Sequence, residues 1–238
     1  KKPFFINATI GTTSTHGFDD LSRIGEIARK HGLWLHVDAA MAGTAALCDE
    51  FRHIHRGIEH ADSYTFNPHK WMLTNFDCSI FYVRDRDSLI RTLSIMPEYL
   101  RNDATESKDV IDYRDWQIPL GRRFRSLKLW MVIRSYGVDG IKKIIRGHVD
   151  MARELADWIK KDRNYSLLRE PVLNLLCIRH RDGNDRTKEI LRDANATGRL
   201  LVTHAMVDSQ YYIRFCVGQE YTARSDVRTA WEILEGLA

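Results

Sequence analysis

The chain has 238 residues, of which 44% are hydrophobic and 29% are charged, values close to the average for globular proteins. This composition excludes a largely disordered chain. The net charge of +4 is too small and dispersed for a nucleic-acid-binding surface, which usually carries a dense basic stripe with aromatic residues. No apolar run approaches the ~20 residues that a membrane span needs, so we expect no membrane partner.

Residues 1–85 predict a sheet with at least one helical crossover. Strand-like runs at 3–11 (PFFINATIG) and 33–40 (LWLHVDAA) flank a helical pattern at 19–32 that stops at a glycine. That order is typical of a parallel sheet covered by helices, which is an α/β fold. Two further strands, SYTFN (63–67) and CSIFYVRD (78–85), surround a lysine-bearing turn.

The remainder of the chain changes character at residue 97. Segment 97–112 is polar and has no core-facing period, so we expect a mobile loop over about 96–111. Apolar and amphipathic helical patterns follow at 125–137 and 141–162. Two short strand patterns, LLCIRH and YYIRFCVG, then alternate with two helical patterns, DRTKEILRDANATG and SDVRTAWEILEGLA. We therefore expect two domains, residues 1–127 and a smaller α/β domain at 128–238.

The four cysteines give no sign of a metal site. They lie far apart, without a CxxC motif or a Cys/His pair at ligand spacing. Cys78, Cys177 and Cys216 fall in apolar, strand-like runs, which favours buried thiols in a reducing compartment. We expect a cytoplasmic protein without a bound metal.

The stretch DSYTFNPHKWMLT (62–74) places Lys70 between His69 and Trp71. Lys70 is interpreted either as a surface lysine whose stem lies along Trp71, or as a desolvated amine. A desolvated amine favours its neutral form and can act as a nucleophile that forms a Schiff base. This stretch alone does not distinguish the two interpretations.

Asp38 is the candidate partner of Lys70. In open α/β sheets, ligands bind outside the carboxyl ends of the strands, and Asp38 lies near such an end. The small residues Ala39 and Ala40 follow it and leave room for a flat ring. Pyridoxal phosphate needs an amine to carry it and a carboxylate against its ring nitrogen. A helix cap or a loop carboxylate is the alternative role for Asp38.

Three stretches together resemble the aromatic-L-amino-acid decarboxylase family, the group II pyridoxal-phosphate decarboxylases, and most of all its plant tyrosine and tryptophan decarboxylases. They are LWLHVDAAMAGTAALCDEFRHIHRGIEHADSYTFNPHKWMLTNFDCS, PEYLRN and DYRDWQIPLGRRFRSLKLW. The resemblance implies fold type I, the aspartate aminotransferase-like fold of a mostly parallel sheet with helices on both faces and a small C-terminal α/β domain. Residues 1–127 would then form the second half of the large cofactor-binding domain.

The resemblance implies five cofactor-binding positions near the sheet. Lys70 would hold pyridoxal phosphate as a Schiff base, and Asp38 would pair with the pyridinium nitrogen. Thr13 would lie at the edge of the cofactor. Asn67 and His69 would help to hold the cofactor phosphate or the lysine turn.

Two further positions would complete the site, and a third departs from the family pattern. Gly121 would approach the cofactor phosphate of a partner subunit in a homodimer with shared active sites. Tyr99, on the mobile loop, would protonate the substrate α-carbon after CO2 has left, because a loop tyrosine can close over substrate and exclude water. Met41 stands where many family members have tyrosine, which leaves the substrate open.

The function implied is decarboxylation of an aromatic L-amino acid, of the tyrosine, DOPA, tryptophan or phenylalanine type, to its amine and CO2. One alternative is the aldehyde synthase branch of the family, in which the loop tyrosine is typically phenylalanine. Another is a non-catalytic chain that only packs on a partner. The family subunit is about twice as long as this chain, so we expect the missing N-terminal half to come from the same subunit or from a separate chain.

Overall fold

The computed structural model describes residues 1–94 and 111–238, so Tyr99 and most of the predicted loop lie outside the described residues. Its first sheet has the order β1-β2-β3-β4, with β1, β2 and β3 parallel and β4 antiparallel to β3. The strands are β1 (Phe5–Thr9), β2 (Trp34–Asp38), β3 (Ser63–Phe66) and β4 (Ile80–Val83).

Helix α1 (Leu21–His31) connects β1 to β2 and has well-defined ends. The Asp20 carboxylate accepts a hydrogen bond from the Arg23 N–H at 3.2 Å, which caps the start of the helix. Gly32 ends the helix in the left-handed region, at φ 61°, and its N–H bonds back to the last turn. These ends agree with the predicted boundaries and deliver the chain directly into β2.

The connections around β3 and β4 contain short helices that the sequence pattern did not reveal. Three 3-10 helices separate β2 from β3, and helix α2 follows β4. Their bounds are Ala42–Leu47, Asp49–His55 and Ile58–His60 for the 3-10 helices, and Arg86–Leu93 for α2. A further 3-10 turn spans Tyr113–Trp116.

The two faces of the first sheet differ in burial. Leu35 and Val37 of β2 are fully buried on the face that forms the core. On the other face, His36 lies between the rings of Phe5 and Phe81, with centroid distances of 6.3 and 6.0 Å. Those two phenylalanines remain 48% and 51% exposed.

A second sheet, with the order β5-β6-β8-β7 and only antiparallel pairs, forms the C-terminal part. Two helices pack with this sheet in a separate core. Its strands are β5 (Tyr165–Leu167), β6 (Leu175–His180), β7 (Thr203–Val207) and β8 (Gln210–Cys216). The two helices are α4 (Asn184–Ala196) and α5 (Arg224–Gly236), and the long helix that precedes them in the chain is α3 (Ser126–Lys161). The patterns for β6, α4, β8 and α5 predicted these elements, whereas β5 and β7 were missed.

Helix α3 (Ser126–Lys161) joins the two parts, and its backbone breaks at Gly137, where φ is 66° and ψ is 167°. The break lies at the last residue of the first predicted helix, 125–137. Ile145 and Val149 pack in the core of the first sheet, and Leu155 packs in that of the second. The domain boundary at residues 127 and 128 stays a prediction, since the side chains of α3 join both cores.

None of the helices in the described ranges has the length and apolar composition needed to cross a membrane. The cysteines, all four of which are described, are free thiols.

Candidate active site

A cavity of about 160 Å³ lies at the carboxyl ends of β1 and β2. It brings together Asp38 and Lys70, which are distant in sequence, together with two side chains from the second sheet. The lining residues are Thr9, Gly11, Thr12, Thr13, Asp38, Ala40, Met41, Lys70, Leu175 and Arg214. Thus four positions singled out in the sequence, namely 13, 38, 41 and 70, share one cavity.

Asp38 is the last residue of β2 and is half-buried. Its neighbours in register are Thr9 on β1 and Thr65 on β3. One carboxylate oxygen, Oδ1, accepts the Ala40 N–H at 2.8 Å, which fixes the orientation of the side chain. Among the described residues no hydrogen bond reaches Oδ2, so this oxygen is available to a ligand.

Asn67 and His69 shape the turn that carries Lys70. The Lys70 N–H donates to the Asn67 carbonyl at 2.9 Å, and the Asn67 N–H donates to the Ala40 carbonyl at 2.9 Å. The His69 ring nitrogen Nδ1 lies 2.7 Å from the Cys78 carbonyl oxygen. Neither Asn67 nor His69 lines the cavity. The resemblance offered these residues two roles, holding the cofactor phosphate or holding the lysine turn. Their contacts support the second role.

Lys70 itself is exposed in this structure, whereas the adjacent Trp71 is only 1% exposed. The buried position of this turn is therefore that of Trp71, and the desolvated amine of one interpretation of Lys70 is not seen in this structure. A turn of this kind anchors the backbone through Trp71 and leaves the lysine amine free to reach a ligand in the cavity.

The loop that follows β1 closes another side of the cavity. At Gly11, φ is 83°, and a Cβ atom would come within 2.6 Å of the Ala42 Cβ atom. Only glycine fits there, because both the backbone conformation and the available space exclude a side chain. Thr13 is exposed in this loop and presents its carbonyl to the second sheet.

Two arginines of the C-terminal part hold this loop. The Arg214 Nε–H donates to the Thr13 carbonyl at 2.6 Å, and Arg169 donates to the Thr15 carbonyl at 2.5 Å. Sequence reasoning missed Arg214 as a cavity residue. The available signal was an arginine inside the apolar strand YYIRFCVG, where a charge needs a specific partner.

His16 lies buried behind the same loop, with 2% of its surface exposed. Its ring nitrogens have no hydrogen-bond partner among the described residues. Burial, and then the charges of Arg169 and Arg214, lower the pKa of His16 to about 4. The ring is therefore neutral near pH 7.

Besides Asn67 and His69, the predicted site residue Gly121 does not line this cavity. Gly121 is exposed, and nothing lies within 4 Å of the place where a Cβ atom would be. Tyr99 falls outside the described residues, so its role stays a prediction.

A larger cavity, of about 420 Å³, lies at the opposite edge of the sheet, near the end of α1. Its two arginines are already engaged: Arg84 donates to the Ala61 carbonyl at 2.8 Å, and Arg29 contacts the His60 ring. Because its cationic groups already have partners within the protein, this cavity is a weaker candidate site than the smaller one.

The smaller cavity defines a class of protein. An amine and a carboxylate at the carboxyl edge of a mainly parallel sheet are the pair that pyridoxal phosphate requires, and Gly11 and Ala40 leave space for a flat ring. The cavity volume is below the roughly 300–1,000 Å³ of complete small-molecule sites. The residues present therefore fit the ring end of the cofactor and supply part of the wall of a complete site.

Comparison with known proteins gives the family. A model of the pyridoxal-dependent decarboxylase conserved domain matches residues 1–181, and the chain belongs to this family. It is 43% identical to tyrosine decarboxylase 2 of Narcissus pseudonarcissus, over 99% of this chain and 49% of the relative. It is also 43% identical to phenylacetaldehyde synthase of Arabidopsis thaliana, over 98% of this chain and 49% of the relative.

The solved structures give the same answer. The crystal structure of Oryza sativa TDC with PLP and tryptamine superposes with a TM-score of 0.96 at 38% identity, over 99% of this chain and 50% of that one. The chain spans about half the length of the curated relatives that it matches. The resemblance to plant-type aromatic amino acid decarboxylases, the type I α/β fold and pyridoxal phosphate as the cofactor of the family are thereby confirmed.

Proposed function

We propose that this protein decarboxylates an aromatic L-amino acid, of the tyrosine, DOPA, tryptophan or phenylalanine type, to its amine and CO2. The observation that carries the proposal is the shared cavity, which combines the Lys70 amine with the Asp38 carboxylate at the carboxyl edge of the sheet. Relatives named for tyrosine decarboxylation support the aromatic substrate class.

When bound, pyridoxal phosphate supplies an electron sink for charge that develops at the substrate α-carbon. Lys70 provides the amine that anchors the cofactor. Asp38 would hold a proton at the ring nitrogen, and the Ala40 N–H keeps Oδ1 of its carboxylate in place. A carboxylate about 4 Å from a cationic nitrogen contributes about 4 kcal/mol at an effective dielectric constant near 20.

The finer parts of the proposal concern proton delivery and assembly. Tyr99 donates the proton to the α-carbon, and Thr13 borders the cofactor. Gly121 approaches a phosphate bound by a partner subunit in a homodimer with shared sites, which accords with its exposure here. The N-terminal half of the same subunit, or a separate chain, supplies further walls. The free cysteines favour a reducing compartment, the cytoplasm.

The test is the location of the cofactor. We expect borohydride reduction of the holoenzyme, followed by peptide mass analysis, to find pyridoxal phosphate attached to Lys70. Lys70→Ala abolishes the adduct and the release of amine, and Lys70→Arg does the same while retaining the positive charge. An adduct at another lysine, or amine release by Lys70→Ala, contradicts the proposal. Tyrosine, DOPA, tryptophan and phenylalanine are assayed against histidine as the control substrate.

A second candidate function is aldehyde synthesis, in which the amino acid, oxygen and water give an aldehyde, CO2, ammonia and hydrogen peroxide. The specific observation in its favour is the 43% identity to an Arabidopsis phenylacetaldehyde synthase. Tyr99 favours the simple decarboxylation, because the aldehyde branch typically has phenylalanine at that place. We expect amine as the main product, and Tyr99→Phe to shift the product toward aldehyde and peroxide. An unchanged amine yield would remove Tyr99 from the mechanism.

A further inference from the structure

A buried hydrogen-bonded chain of three residues begins beside Lys70. The indole N–H of Trp71 donates to Nδ1 of His148 at 2.9 Å, and the two rings stack at 17° with centroids 6.4 Å apart. Nε2 of His148 lies 3.1 Å from the backbone carbonyl oxygen of Gln219. His148 is 2% exposed, and it belongs to α3. Three separate parts of the chain therefore meet at one imidazole.

The partners of His148 fix its proton. A tryptophan indole can only donate a hydrogen bond, so Nδ1 must be unprotonated. A backbone carbonyl can only accept one, so Nε2 must carry the hydrogen. Burial lowers the pKa of His148, with a smaller opposing effect from the Gln219 carbonyl, in agreement with a neutral ring. A single neutral tautomer satisfies both contacts, and protonation of Nδ1 would break the contact with Trp71.

The hydrogen-bonded series of Trp71, His148 and Gln219 connects two sides of the cavity. Trp71 follows the lysine directly, while Gln219 lies in the loop just after β8, the strand that carries Arg214. Gly218 of that loop is close to the end of the Met41 side chain, since a Cβ atom there would be 3.7 Å from the Met41 Cε atom. The imidazole therefore connects the lysine turn to the wall of the cavity that the second sheet contributes.

We infer that His148 is a positioning residue for Lys70: its neutral Nε2–H tautomer holds Trp71 and thereby fixes how the lysine amine approaches the cofactor. This inference rests on the proposed function and adds a role that lies outside the cavity. The two contacts of the His148 ring have different roles. The contact with Trp71 controls the lysine, whereas the contact with Gln219 serves the packing of the C-terminal loop.

Two replacements separate these contacts within similar volume. In His148→Asn the side-chain oxygen can take the place of Nδ1 and accept from Trp71, but the contact with Gln219 is lost. In His148→Gln the terminal amide can take the place of Nε2 and donate to Gln219, but the acceptor for Trp71 is lost. Trp71→Phe keeps an aromatic ring and removes the same donor from the other side.

The readout is the rate at which the apoenzyme of the complete protein binds pyridoxal phosphate covalently, followed by absorbance after mixing. We expect His148→Gln and Trp71→Phe to slow attachment by about five- to tenfold, the range that corresponds to one lost hydrogen bond. His148→Asn should stay within about twofold of the wild type. Hydrogen exchange at the amides of residues 70–74 should accelerate in the first two variants only.

The outcomes distinguish this inference from the proposed function. Equal slowing in His148→Asn and His148→Gln, or no slowing in either, overturns the inference while leaving the cofactor at Lys70. A wild-type enzyme that forms no adduct at Lys70 overturns the proposed function and the inference with it. Thermal unfolding of each variant serves as the control, since a purely structural role would make attachment rate follow stability across the set.

Discussion

The turn that carries Lys70 and the segment that carries Gly121 differ in how far the described chain supports them. The Lys70 turn is bonded to the end of β2 and to the Cys78 backbone, and the adjacent Trp71 reaches α3. Segment 117–124 instead presents Ile118, Leu120 and Phe124 with 90%, 67% and 77% of their surfaces exposed. The Lys70 turn is therefore held by contacts within the described chain, whereas segment 117–124 exposes its apolar side chains.

The two predicted site regions therefore depend on different contacts. The lysine turn is held by backbone hydrogen bonds and by one buried indole, and this chain supplies the partners of both. The Gly121 segment has a role only if another surface packs against it, as the resemblance implies for a homodimer. Substitutions in the two regions should therefore affect different measurable quantities.

The largest effect on activity is expected at Asp38, which shares the cavity with Lys70. Asp38→Asn removes the charge that is proposed to face the ring nitrogen and keeps the size of the side chain. Loss of about 4 kcal/mol of electrostatic stabilisation corresponds to a decrease in kcat of about 10³-fold. Steady-state amine release measures it, with the absorbance of bound cofactor as the control. A decrease of less than tenfold with the cofactor still bound would argue against the role of Asp38.

The next effect concerns the shape of the cavity wall. Gly11→Ala combines a left-handed backbone with a Cβ atom only 2.6 Å from that of Ala42. Strain and overpacking together should lower the free energy of unfolding by about 2–4 kcal/mol. Urea denaturation of the enzyme without added cofactor measures the change. A loss below 1 kcal/mol would show that the loop after β1 can move away from Ala42.

A pH effect of intermediate size should come from His16. Its pKa is about 4 in the folded protein and 6.5 without burial, so the unfolded state binds more protons between these values. The contribution of His16 to the free energy of unfolding is therefore fully present above pH 6.5. It is lost as the pH falls toward 4, and the total loss is up to about 3 kcal/mol.

His16→Asn, which tolerates the positive φ of 58° at this position, should flatten this dependence. Denaturation midpoints at pH 7 and pH 4.5 measure the change. The same substitution at the exposed His31 is the control and should leave the slope unchanged. Identical slopes for His16→Asn and the wild type would contradict a neutral, buried His16.

The smallest effect on stability is expected in the uncovered region. Gly121→Ala places a methyl group where nothing lies within 4 Å, so the free energy of unfolding should change by less than about 0.5 kcal/mol. Cofactor affinity of the assembled enzyme should nevertheless decrease, because the backbone at this position is proposed to approach a phosphate. Titration with pyridoxal phosphate measures it. An affinity for pyridoxal phosphate equal to that of the wild type would show that Gly121 does not approach the cofactor.

Much of the fold followed from local patterns. The helix at 19–32 had an acidic start, a glycine stop and a periodic apolar face, and the strand at 3–11 had a β-branched and aromatic run. The short strands β5 and β7 were missed because three and five residues are too few to mark a strand by their own composition, and only pairing with β6 and β8 reveals them. The 3-10 helices after β2 escaped for the same reason, since six residues or so do not establish a period.

The site divides in the same way. Asp38 and Lys70 were recognisable because a strand end and a motif mark them, and the structure brings both to one cavity. Arg214 and His148 carried no comparable mark. Each acquires its place through contacts with residues far away in sequence, at Thr13 and Trp71. Contacts of this kind depend on how the two sheets pack, which no short stretch of sequence specifies.

The guanidinium of Arg214 has a consequence for redesign of the pocket. It borders the cavity and at the same time ties the loop after β1 to the second sheet. A substitution there to admit a different side chain would also release the loop, so selectivity and integrity cannot be varied independently at that position. The Met41 side chain borders the same space and makes no hydrogen bond with the described residues. An engineer who wishes to change which amino acid enters should therefore begin at Met41.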